Sequence, residues 1–287
     1  METIGFLQSF ASPTLDVLAQ AISDLGSERG YIAFLLVTYL GWDAKIGQRA
    51  GVYLLLAFTL NYHLKDLFAT NRPFEFDADV YRSSEEDLGP GFPSGHAQGA
   101  TAFWGYLAVR VQKLWFWIAA ALIVVLIALS RVYLGLHFPI DAVGGILIGA
   151  GVVAAARGID RATRRVSVPI WAAIGAGILI PLLVNVFIPP PGDESGLLMG
   201  GLAAFLTAPF FWQHRVPTVW WRRLGIVLCG LFVAFTLLTV SSLVMPEDMK
   251  RHAFGGFARY LLLGYAGLWL APWLGGKLGL GARVSDR

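Results

Sequence analysis

Apolar stretches, each close to the thickness of a lipid bilayer, recur almost from end to end of this 287-residue chain. A hydrocarbon core of about 30 Å takes about 20 residues of helix. Inside it every backbone N–H and C=O needs an internal partner, which leaves helices or closed barrels as the spanning forms. Windows at 30–42, 47–64, 97–112, 114–134, 138–157, 168–188, 196–213, 222–245 and 256–275 read as nine helical spans, 30–42 being the shortest. Composition agrees: 56% of the residues are hydrophobic, above the roughly 45–50% of a soluble domain. The expected fold is therefore all-α, a polytopic membrane helical bundle. Residues 4–22 are broken by Gln8, Ser9, Ser12, Pro13, Asp16 and Gln20, which suits a helix lying in the interface better than a span. Residues 1–24 lack the basic start of a cleavable leader, so this segment is expected to remain in the mature protein.

The net charge of +3 does not point to nucleic acid, because the cations gather at the ends of apolar runs. Alternate connections divide them unequally. One side holds Lys45, Arg49, Arg110, Lys113, Arg157, Arg161, Arg164, Arg165, Arg215, Arg222, Arg223, Lys277, Arg283 and Arg287, fourteen of the 22. The other holds Arg29, Lys65, Arg72, Arg82, Arg131, Lys250, Arg251 and Arg259. By the positive-inside rule the richer side is cytoplasmic. The lone Cys229 leaves no intrachain disulfide and no cysteine-rich metal site.

Three segments on the cation-poor side carry chemistry: Lys65 to Pro73 reads K-x6-R-P, Pro93 to His96 reads P-S-G-H, and Ser130 to Asp141 reads S-R-x5-H-x3-D. A phosphate ester is anionic, so its chemistry rests on positioning and on charge stabilisation of its oxygens. Lys65, Arg72 and Arg131 supply cations, the arginines as planar forks. Ser94 suits a helix N-cap and Gly95 a close backbone approach, at a helix start that favours an anion. Pro139 suits the first turn of a helix, placing His137 just before it and Asp141 inside it. That spacing lets the carboxylate orient one ring nitrogen and leaves the other for attack. Taken alone, Asp141 reads equally well as a charge placed at a helix start. Glu75, Asp77, Asp79, Glu85, Glu86 and Asp87 mark the long connection at about 65–96 as a solvated acidic loop. His63, His214 and His252 read as loop or interfacial residues.

The three segments resemble the complete signature of the type 2 phosphatidic acid phosphatase superfamily, which also includes vanadium haloperoxidases and glucose-6-phosphatase-like enzymes. The resemblance covers about residues 25–190 and implies a six-span core in which His137 is the nucleophile, forming a phosphohistidine. It implies that Asp141 orients His137 and that His96 is the general acid. It further implies that Lys65, Arg72, Ser94, Gly95 and Arg131 hold the phosphate, without metal or other cofactor. The expected organisation is an interfacial helix at 1–24, the phosphatase core at 25–190, and a transmembrane extension of about three spans at 191–287. A composition break at Ile188 to Asp193 marks the last boundary.

These features predict an integral membrane phosphatase of a bacterial plasma membrane, acting at its extracytoplasmic face on a lipid phosphate or pyrophosphate. Its partners are the bilayer and the lipid, not nucleic acid, and its oligomeric state is left open. Two alternatives use the same residues differently. One passes the phosphoryl group to another lipid; the other is a lipid transporter or scramblase with a vestigial site. Transport is disfavoured because Asn61 and Asn185, the main strongly polar residues inside spans, are uncharged.

Overall fold

A computed structural model describes residues 1–83, 89–163, 169–187, 195–211 and 214–281. Glu85, Glu86 and Asp87, the break at Ile188 to Asp193, and Arg164, Arg165, Arg283 and Arg287 lie outside the described residues. The described chain is helical. Helices α1 (Glu2–Gln8), α2 (Pro13–Asp24), α3 (Glu28–Leu36), α4 (Ala44–Phe68) and the short α5 (Pro73–Phe76) precede α6 (Gly95–Val111), α7 (Leu114–Tyr133) and α8 (Pro139–Ala162). There follow α9 (Ile170–Phe187), α10 (Ser195–Phe211), α11 (Trp220–Val244), α12 (Glu247–Arg251), α13 (Ala253–Tyr265) and α14 (Ala271–Lys277). Among the described residues, α7, α8, α9 and α11 are long and apolar enough to cross a membrane by length and composition. The other expected windows also fall on helices, but these are shorter or more polar. The window at 47–64 lies within α4, which carries Lys45, Arg49, His63, Lys65 and Asp66, and α10 contributes a shorter apolar stretch, Gly196–Ala208.

The chain divides into two compact units, one of residues 1–31 and 57–164, the other of 32–56 and 165–287. All three motifs belong to the first. Its central helices show why. In α7 the buried residues Ala120, Val124, Ile127, Ala128 and Arg131 recur at helical spacing and form one inward stripe. In α8 the inward stripe is Asp141, Gly145, Gly149, Val153, Ala156 and Asp160, small for most of its length. Small residues let two backbones approach closely, the usual device where water supplies no drive for helix association. Here α8 meets α6. A Cβ on Gly145 would lie 2.5 Å from the Ser94 carbonyl oxygen, and one on Gly149 2.7 Å from that of Gln98.

The same register continues away from the motifs, where the Tyr106 hydroxyl donates to Asp160 at 3.0 Å and Arg110 lies 3.9 Å from it. Thus α6 and α8 run parallel, and their N-termini lie at the same end. The returning α7 brings its C-terminal turn to that end as well.

The N-terminal helices pack on this unit rather than standing off from it. Gln8 donates at 2.7 Å to the carbonyls of Val80 and Tyr133, and Asp16 pairs with Arg82 at 3.3 Å and accepts from the Tyr133 hydroxyl. Their outer faces expose Phe6, Val17 and Leu18, and Phe10 is exposed in the turn between them. In the second unit a core of Leu36, Tyr39, Leu40, Ala204, Ala208, Ile226 and Leu268 joins its helices. There Gly196 and Gly200 allow α10 to lie directly on α13. His214 approaches the Leu40 carbonyl at 3.1 Å, and His252 caps α13 by accepting from the Phe254 amide. Neither histidine belongs to the unit that holds the motifs.

Candidate active site

Each motif sits at a helix end, and each end has a local cause. Lys65 is in the last turn of α4. Arg72 precedes Pro73, the first residue of α5, and its amide donates to Glu75 at 2.8 Å, closing that short helix. Ser94 has extended backbone and caps α6, its Oγ accepting loosely from the Ala97 amide at 3.5 Å. The third motif needs a reversal between α7 and α8. Gly135 makes it at φ +72°, with the Val80 carbonyl oxygen 2.1 Å from where a Cβ would stand. No other residue type meets both conditions. Pro139 then starts α8.

The structure brings the eight residues singled out from sequence into one unit and ties several of them together directly. His137 is 1% exposed and Asp141 3%. Asp141 Oδ2 accepts from the Phe138 amide at 2.8 Å and also lies 3.4 Å from His137 Nδ1, longer than a normal hydrogen bond. The carboxylate therefore performs both functions left open by the sequence, capping the helix start and facing the imidazole. His137 Nε2 is 3.4 Å from Arg72 Nη1. Guanidinium only donates, so that nitrogen presents its lone pair and the proton belongs on Nδ1, toward Asp141. Burial first, then the nearby charges of Arg72, Arg131 and Lys65, hold the His137 imidazole well below its ordinary range, which keeps it neutral.

The other cations lie around the same centre. Arg72 donates to the carbonyls of Leu136 at 2.8 Å and Gly89 at 2.7 Å. Lys65 Nζ donates to the Pro90 carbonyl at 2.7 Å, which Arg72 Nη2 also reaches at 3.3 Å. Arg131 Nη1 stands 3.3 Å from His96 Nε2. The Ser94 amide donates to the Asp141 carbonyl at 3.0 Å, which joins the second motif to the third. Two parallel helices thus begin side by side, so both positive ends of their peptide dipoles face a region ringed by three cations. That arrangement suits a phosphoryl group flanked by two imidazoles.

Residues 48–165 match the PAP2 superfamily, and residues 193–283 match the transmembrane extension of PAP2 superfamily phosphatases. The undecaprenyl-diphosphatase of Sulfolobus acidocaldarius is 32% identical over 143 residues, 48% of this chain and 68% of that protein. The chain belongs to the PAP2 superfamily. Phosphatidylglycerophosphatase B of Bacillus subtilis is 29% identical, over 53% of this chain and 79% of that protein. Sphingosine-1-phosphate phosphatase 2 of Mus musculus is 31% identical, over 45% of this chain and 38% of that protein. No solved structure matches.

The PAP2 match at 48–165 spans all eight residues, yet the site also draws on residues the motifs do not name. Asn61 donates to Gln98 Oε1 at 2.8 Å and to the Pro93 carbonyl at 3.2 Å. Gln98 donates to the Ala57 carbonyl at 2.7 Å. This buried amide pair fixes α4 against the start of α6, and Gly95 makes room for it, since a Cβ there would lie 3.0 Å from Asn61 Oδ1. A signal was present in the sequence. Asn61 and Gln98 are uncharged polar residues in apolar runs, where each requires a partner.

Ser23, whose Oγ accepts from Arg131 Nη1 at 2.7 Å, and Gly26, which lies against the His96 ring, sit outside the PAP2 match, and nothing in their local sequence marks them.

Proposed function

We propose that this PAP2 superfamily phosphatase hydrolyses a lipid phosphate or pyrophosphate at the extracytoplasmic face of a bacterial plasma membrane, through a phosphohistidine. One observation carries the reading: His137 is held with Nδ1 toward Asp141 and Nε2 toward Arg72. In this mechanism Nε2 attacks phosphorus while Lys65, Arg72, Arg131 and the start of α6 stabilise the charge gathering on the oxygens. Asp141 stabilises the imidazolium character that develops on His137. The negative charge of bound phosphate favours the imidazolium form of His96, which protonates the leaving oxygen as the P–O bond breaks; the neutral imidazole then takes a proton from the water that attacks the phosphohistidine. No step asks for a metal.

A lipid rather than a soluble substrate is supported by the setting, since Arg131 and Asp141 lie at the ends of α7 and α8, helices long and apolar enough to cross a membrane, with His137 between them. The names of its relatives, diphosphatases and phosphatases of lipid substrates, support the same class. The bias of Lys and Arg toward the opposite connections supports the extracytoplasmic face.

The test is phosphate release by purified protein from a panel of undecaprenyl diphosphate, phosphatidylglycerophosphate, phosphatidic acid and sphingosine-1-phosphate. Release from at least one of them, lost in His137→Ala, is expected. Equal rates for wild type and His137→Ala would remove the assignment. Rates that rise only with an added acceptor lipid would replace hydrolysis by transfer.

A further inference from the structure

Helix α2 ends against the two side chains that face each other from the second and third motifs. Ser23, in its last turn, is fully buried, and its Oγ accepts from Arg131 Nη1 at 2.7 Å. The same nitrogen stands 3.3 Å from His96 Nε2, so its two protons point to a serine oxygen and an imidazole nitrogen. Two residues after the helix, a Cβ on Gly26 would come 2.8 Å from His96 Cδ2 and 3.2 Å from Ile127 Cγ2. The backbone at Gly26 therefore forms a wall against the His96 ring that only glycine supplies. The far end of α2 is fixed too, through Asp16 to Arg82 and Tyr133, the latter two residues beyond Arg131.

We infer that Ser23 is a positioning residue, aiming the Arg131 guanidinium at the phosphoryl group, and that Gly26 sets the place of the His96 ring. The N-terminal helix is then part of the catalytic apparatus rather than only an interfacial attachment. Without the hydroxyl, Arg131 keeps its charge but loses the shorter of these two contacts on Nη1, one that helps to fix the plane of its fork. An arginine bound to phosphate through two oxygens depends on that plane. The inference rests on the phosphatase reading above.

The experiment is a double-mutant cycle on purified protein in detergent, using the lipid phosphate that the panel identifies, with inorganic phosphate as competing probe. Ser23→Ala should lower kcat/KM roughly ten- to a hundredfold, the range for one lost hydrogen bond to a charged group. It should weaken inhibition by inorganic phosphate in step. In an Arg131→Lys background, which keeps the cation but not the fork, the same substitution should cost much less, because Ser23 acts through the guanidinium. Equal losses in both backgrounds, or unchanged phosphate inhibition, would assign Ser23 a structural role only and overturn the inference. Gly26→Ala should lower kcat with smaller change in phosphate inhibition, since it displaces the ring and not the arginine; wild-type kcat there would remove the Gly26 half. His137→Ala run in parallel separates the two levels. If it is inactive while Ser23→Ala matches wild type, only the positioning role fails; if it is active, the phosphatase reading fails first.

Discussion

Asp141 serves the backbone and the imidazole with one oxygen, and the two duties separate by substitution. Asparagine keeps an acceptor for the Phe138 amide but gives up the charge facing His137. Asp141→Asn is expected to fold with a near-unchanged melting temperature and to lose about 10² or more in kcat, the scale of a general acid–base contribution. A large drop in melting temperature with little loss of rate would assign the residue to capping alone. His137 makes a prediction in pH. Its imidazole is held below the ordinary value of 6.5 by burial, so the unfolded chain binds its proton first. The contribution to stability is present above about 6.5 and falls as pH drops below it. Melting temperatures measured downward from pH 7 should decline, and His137→Asn should flatten that decline. Gly135 is exacting in a different way. Alanine there faces both a left-handed backbone, at roughly 1–2 kcal/mol, and the Val80 carbonyl. Gly135→Ala should lower both stability and rate, because the reversal it makes also sets His137.

At the scale of elements, the parallel pair α6 and α8 holds the motifs together, and its glycines make that contact possible. Gly145→Leu would drive a side chain into the Ser94 carbonyl and the Gln98 amide; overpacking of this kind costs about 1–3 kcal/mol. The expected result is a lower melting temperature together with loss of activity, while Gly151→Leu, with open space at its Cβ, should change neither. Both helix starts were legible from sequence, Ser94 as a cap and Pro139 as a first-turn proline, because capping is local chemistry. The inward faces were less legible. A stripe of Gly and Ala in an apolar run has no contrast between sides, so hydrophobic periodicity could not show that α8 turns Gly145 and Gly149 toward α6. The Asn61 and Gln98 pair was hidden for a related reason, since a polar residue announces that it needs a partner but not which helix supplies one. Ser23 lay further out of reach. Its partner is 108 residues away, and a serine in the last turn of an ordinary amphipathic helix carries no mark of that.

For the molecule as a whole, the charge bias predicts an orientation that can be read in intact cells. In a Cys229→Ser background, a membrane-impermeant maleimide should label Asp79→Cys, an exposed position in the connection between the first two motifs, and spare Lys113→Cys, an exposed position between α6 and α7. The reverse pattern would place the site at the cytoplasmic face. The central claim is chemical, that His137 Nε2 takes the phosphoryl group. Its most direct test is to mix purified protein with a lipid phosphate labelled in the terminal phosphate, quench in alkali within a turnover, and map the modified peptide. The account predicts a phosphoryl group on His137, absent from His137→Ala and accumulating when the water-activating His96 is replaced by alanine with a substrate whose leaving group needs no proton. Phosphate released at full rate with no label on His137, or label on another residue, would contradict it.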